Sequence, residues 1–76
     1  MIELCVITTL ATLYEEDGYT YGHAANVANQ TGPAIARLIE EHDPDTINAA
    51  LHRADPDQNL FLTRAVRECL PKEGEG

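Results

Sequence analysis

Three prolines fall within 24 residues of this chain, and each follows a residue suited to opening a helix. Pro33 follows Gly32, Pro44 follows Asp43 and Pro56 follows Asp55. Proline is favoured at the first helical position, because its missing N–H would have no partner there. The stretch Thr31–Asp57 therefore predicts three helix starts in quick succession. The other 49 of the 76 residues are left to supply helices on either side. A chain this short forms one small domain.

Residues 2–16 carry Ile2, Val6, Leu10, Leu13 and Tyr14 at three- and four-residue steps, with Ile7 and Ala11 widening the stripe. That is the pattern of an amphipathic helix. The β-branched run within residues 4–9 makes a short strand the competing reading, and length favours the helix. Glu15, Glu16 and Asp17 crowd its C-terminal end, where the macrodipole is already negative. Gly18 is the expected stop.

Thr20 is a candidate N-cap for a short helix over residues 21–30, whose small apolar face is Ala24, Ala25, Val27 and Ala28. Thr31-Gly32 is read as its break. A third helix is expected over 33–42, with Ile35, Leu38 and Ile39 inward. A fourth is expected over about 44–53, with Ile47, Ala50 and Leu51 inward. A fifth is expected over about 56–70, burying Phe61 or Leu62, then Ala65, Val66, Cys69 and Leu70. Asp55 and Gln58 have capping-box spacing for that last helix. Pro71 is the expected stop, and 72–76 read as a disordered tail after a helical domain over 1–71. The fold class is all-α, a small bundle of four to five short helices. The predicted core is Val6, Leu10, Leu13, Val27, Ile35, Leu38, Ile39, Ile47, Leu51, Leu62, Val66 and Leu70.

Ala28, then Gly32, then Leu38 is similar to the spacing in helix-turn-helix DNA-binding domains. There the alanine packs two helices, the glycine turns the chain and the later apolar residue anchors the recognition helix. The resemblance covers residues 22–42 and implies a helix-turn-helix-like core. Two residues depart from it: Pro33 directly follows the turn glycine, and Glu41 stands where an apolar residue is expected. The implied recognition helix would set Arg37 against Glu40 and Glu41, whereas such helices reach DNA with Arg, Lys, Asn or Gln.

Charge narrows the function classes. Thirteen acidic and five basic side chains give a formal net charge of -8. Neutralising phosphates supplies most non-specific nucleic-acid affinity, so DNA is disfavoured as a direct partner. Anionic lipid is disfavoured on the same ground, and basic proteins are favoured. Glu40, Glu41, Asp43 and Asp45 lie within six positions at one helix corner, Asp55 and Asp57 begin the next helix, and Glu15, Glu16 and Asp17 lie near the end of the first. If these corners share a side they form a strip of carboxylates. Tyr19 and Tyr21 have two readings, as interface anchors or as a cover for one end of the core.

Catalytic and metal sites find no support. His23, His42 and His52 are not in HExxH spacing. Asp43 and Asp45 open like a calcium loop, but Asn48 and Ala54 stand where its glycine and final glutamate belong. Cys5 and Cys69 are not in CxxC spacing. Both lie in apolar runs and read as reduced core residues, with a bridge between them as the minority alternative. No basic n-region precedes the first apolar run, which is too short to span a bilayer. An intracellular, cytoplasmic location is expected.

The leading expectation is a non-enzymatic acidic protein, without cofactor, that binds and inhibits or regulates a protein partner with a basic surface. In size and acidity the chain resembles phage-encoded inhibitors that imitate the charge of DNA. A helix-turn-helix regulator and a small assembly subunit are the alternatives. A homodimer is one way to support so small a core.

Overall fold

The computed structural model describes residues 2–70. Four helices make up its regular structure: α1 (Ile2–Glu16), α2 (Tyr21–Glu41), α3 (Pro44–Ala54) and α4 (Phe61–Cys69). The described residues are all-helical, which settles residues 4–9 as helix. The expectations for Pro71 and for the tail at 72–76 lie outside the described residues.

The helix α1 has the expected bounds, and its stop is well defined. Gly18 takes φ +109°, and the N–H groups of Gly18 and Tyr19 donate to Glu15 O (3.0 Å) and Tyr14 O (3.1 Å). This is the paired arrangement of a Schellman motif. The apolar contact that accompanies such motifs is present too, with the Tyr14 and Tyr19 rings 5.0 Å apart. The next helix starts at once: Thr20 caps α2 by accepting from the His23 N–H at 3.3 Å.

The break expected at Thr31-Gly32 does not occur. Pro33 lies inside α2, which runs unbroken for 21 residues. Four helices therefore stand where the sequence suggested up to five, and residues 22–42 contain no turn of the helix-turn-helix kind. An internal proline removes one helical N–H and orphans the carbonyl four residues back. Here that residue is Asn29, which is exposed, so water can serve its carbonyl. The residue before a proline is crowded at its N–H and its Cβ, and Gly32 lacks the Cβ.

A buried stripe at four-residue steps holds α2 together across the proline: Ala24, Ala28, Gly32 and Ala36, continued by Ile39. These small residues let α2 lie close against α1. A Cβ built on Gly32 would overlap Ile7 Cγ1 and sit 3.5 Å from Ile7 Cα. Gly32 is thus a packing glycine, and the turn role expected for it is incorrect.

The helix α4 closes the core against α1. Its ends are matched to α1 in antiparallel fashion, Phe61 meeting Tyr14 edge-to-face at 5.1 Å and Cys69 bonded to Cys5. The expectation of two reduced thiols is therefore corrected: the cysteines form a disulfide joining residues 64 apart. Val6, Leu10, Ala28, Ile39, Ala65, Val66, Cys69 and Leu70 form the buried cluster. Leu38, expected in the core, is 51% exposed. Leu13, Val27, Ile35, Ile47, Leu51 and Leu62 are half-buried.

The second Asp-Pro-Asp does not open a helix. Asp55 instead ends α3, donating its N–H to Leu51 O at 2.7 Å. Gln58 then takes φ +55°, which stops helical winding, and α4 begins only at Phe61. The Asp55 side chain is 6% exposed and organises this crossing. Its two oxygens accept from the N–H groups of Asn59 (2.9 Å) and Leu60 (3.0 Å). The expected capping box with Gln58 is replaced by this clamp.

The Leu60 N–H, then the Thr63 hydroxyl and the Asn59 N–H, hold the Asp55 carboxyl below its ordinary pKa. A carboxylate with a depressed folded pKa stabilises fully above its unfolded value near 4. That contribution is lost as pH falls through the lower folded value. Asp55→Asn offers one acceptor oxygen in place of two, so it should lower the unfolding temperature at neutral pH. Melts taken from about pH 7 to about pH 2 should also show a smaller acid-induced fall in the variant than in the wild type. An unchanged acid profile would remove Asp55 as the source.

Candidate partner-binding site at the corner between α2 and α3

The corner is built by two adjacent helix ends. Glu40 and Glu41 occupy the last turn of α2, His42 closes it, and Asp43 caps α3 with Pro44 directly behind. Asp43 accepts from the Thr46 N–H at 3.3 Å and from the Thr46 hydroxyl. The hydroxyl bond above all holds the Asp43 pKa below its ordinary value. Glu40, Glu41, Asp43 and Asp45 are all exposed. From Leu38 to His52 the sequence has these four acids and no Lys or Arg.

The other expected contact residues lie elsewhere. Glu15, Glu16 and Asp17 are exposed at the opposite end of α2, about 30 Å away along a 21-residue helix. The acidic residues therefore form two separate clusters rather than one strip. Asp55 is buried as a loop clamp and adds nothing to either, and Asp57 is exposed in the loop between α3 and α4. Tyr19 and Tyr21 differ in their surroundings. Tyr19 is 39% exposed, with its ring 5.0 Å from those of both Tyr14 and His23, whereas Tyr21 is 74% exposed.

Beside the α2–α3 corner lies a feature the sequence reading missed. An apolar groove of about 250 Å³ runs between α2, α3 and α4. Ile35 and Leu38 line it from α2, Ile47 and Leu51 from α3, and Leu62 and Val66 from α4. His42 and Thr46 line it at the corner. It is open because α3 is held loosely: none of its residues is fully buried. The signal available in the sequence was the weakness of α3, whose inward set is only Ile47, Ala50 and Leu51. That set is too small to seal a third helix face.

Among the described residues no group of three or more His, Cys, Asp or Glu side chains is placed to hold a metal ion. No described helix is long and apolar enough to cross a membrane. Comparison with known protein families, characterised proteins and solved structures finds no match to this chain.

Proposed function

We propose that this chain is a non-enzymatic binding protein that engages, and thereby blocks or regulates, a protein with a basic surface. The observation that carries the reading is the α2–α3 corner, where exposed Glu40, Glu41 and Asp45 stand beside an open apolar groove. Carboxylates there steer a basic partner by long-range attraction, and the groove supplies apolar area to hold it. If the partner's surface normally takes nucleic acid, these carboxylates fall on positions prepared for phosphates. The continuous α2 removes the sequence argument for a DNA-reading turn within residues 22–42.

The test uses the variant Glu40→Lys, Glu41→Lys and Asp45→Lys, with Asp43 kept because it caps α3. Capture from extracts of the source cell should recover a basic protein with the wild type. The variant should bind that protein at least about tenfold more weakly, roughly 1.4 kcal/mol, with unchanged helicity. Retention by this variant, but loss with Glu15→Lys and Glu16→Lys, would move the contact to the other end. Binding of duplex DNA that weakens as salt rises would replace the reading with a DNA regulator.

A further inference from the structure

The groove constrains the shape of what it can hold. All three of its walls are helices, and the backbone N–H and C=O groups of a helix interior are already paired. An extended segment would find no strand edge to join, so recognition by strand addition is excluded here. A helix needs no such edge. It enters a groove between helices through apolar side chains at i, i+4 and i+7.

Two features suit the groove to such an insertion. Leu38, Ile47, Leu51 and Leu62 leave apolar surface uncovered, with Leu38 alone 51% exposed. The wall formed by α3 carries no fully buried residue and meets the core through half-buried Ile47 and Leu51. Charge then selects among helices. The corner end of the groove, at His42 and Thr46, is bracketed in sequence by Glu41, Asp43 and Asp45. A second copy of the chain would bring a net charge of -8 against another -8, which opposes self-association.

We infer that the groove between α2, α3 and α4 receives an amphipathic helix of a partner protein. That helix carries apolar anchors along one face and Lys or Arg at the end that passes the α2–α3 corner. The inference rests on the binding reading above and specifies the form of the partner.

The probes are three synthetic peptides. One is a cationic amphipathic helix of about five turns with leucines at i, i+4 and i+7. The second has the same composition with two central prolines, and the third is oligolysine. Isotope-labelled protein is titrated with each at low salt, alongside Leu38→Asp. That substitution removes an exposed apolar contact while leaving the attraction for cations in place.

The expected result is a dissociation constant on the order of 10 μM for the helix. The other two peptides, and the helix against Leu38→Asp, should bind at least tenfold more weakly. Shifted resonances should include Leu38, Ile47, Leu51 and Leu62. If all three peptides bind alike and Leu38→Asp changes nothing, the helix inference is overturned and the acidic-surface reading stands. If none binds at low salt, both are overturned. If the protein instead forms dimers that Leu38→Asp disrupts, the groove belongs to a second copy and the inference is overturned.

Discussion

Reducing the Cys5–Cys69 bridge should lower the unfolding midpoint by on the order of 20 °C. The bond joins residues 64 apart, so it closes almost the whole chain into a loop. The chain-entropy relation assigns a loop of that length about 4 kcal/mol of stabilisation, through restriction of the unfolded ensemble. In a domain of this size each kcal/mol moves the midpoint by about 4–8 °C. A 76-residue chain has only about 4–11 kcal/mol of total stability at usual values per residue. The bridge therefore stands for a large share of what holds the fold. Melting with and without a phosphine reductant measures the effect, and Cys5→Ala with Cys69→Ala should reproduce it. A shift below a few degrees would mean that packing alone sustains the bundle. The cytoplasmic location expected from the sequence sits poorly with a bond that reducing compartments keep open. In a reducing compartment the chain would operate near its stability threshold.

The second large effect is at Gly32. In an exposed helix interior, replacing glycine with alanine gains about 1 kcal/mol. At Gly32 the new methyl would overlap Ile7 Cγ1, an inner atom of a β-branched side chain whose χ1 is stiff in a helix. Overpacking of this kind costs about 1–3 kcal/mol, so on these two terms Gly32→Ala falls between neutral and a net loss of roughly 2 kcal/mol, and crowding of the new Cβ against Pro33 adds to the loss. Ile7→Ala removes the obstruction. In that background the loss should shrink to what a Cβ before Pro33 alone costs, a coupling within the 0.5–3 kcal/mol seen for contacting residues. Urea titration of the four proteins of the cycle measures it. A glycine needed for a turn would also resent alanine, but truncating Ile7 would not rescue it. The size of the rescue in the Ile7→Ala background thus separates the two roles.

The legible and illegible parts of this fold differ for physical reasons. The helix α1 was readable because its apolar spacing, its Gly18 stop and the Thr20 cap beyond it are all local signals. Asp43-Pro44 was readable for the same reason, and α3 begins there. Thr31-Gly32-Pro33 and Asp55-Pro56-Asp57 were misread because local signals lost to tertiary ones. Around Pro33 the deciding signal was the four-residue step of Ala24, Ala28, Gly32 and Ala36, which continues straight through the proline. Alanine and glycine carry little hydrophobic weight, so the stripe is faint until α1 is laid against it. At Asp55 the same cap chemistry serves a loop instead of a helix start, with the positive φ of Gln58 between them. Two cysteines in apolar runs look alike in the sequence whether reduced or bridged, and only the antiparallel placing of α1 and α4 brings Cys5 to Cys69. The acidic corner could be located from sequence, but the groove beside it could not. The groove depends on how far Leu38 and α3 fall short of closing over α4.

Amide hydrogen exchange tests most directly the claim that a bridged core of α1, α2 and α4 carries a loosely held α3 above an open groove. Few buried contacts mean a low local opening free energy. The account predicts that amides of Ile47–Ala54 exchange well before those of Val6–Leu13 and Ala24–Ile39. If α3 proves as protected as the middle of α2, the groove is closed in solution and the binding surface proposed here does not exist.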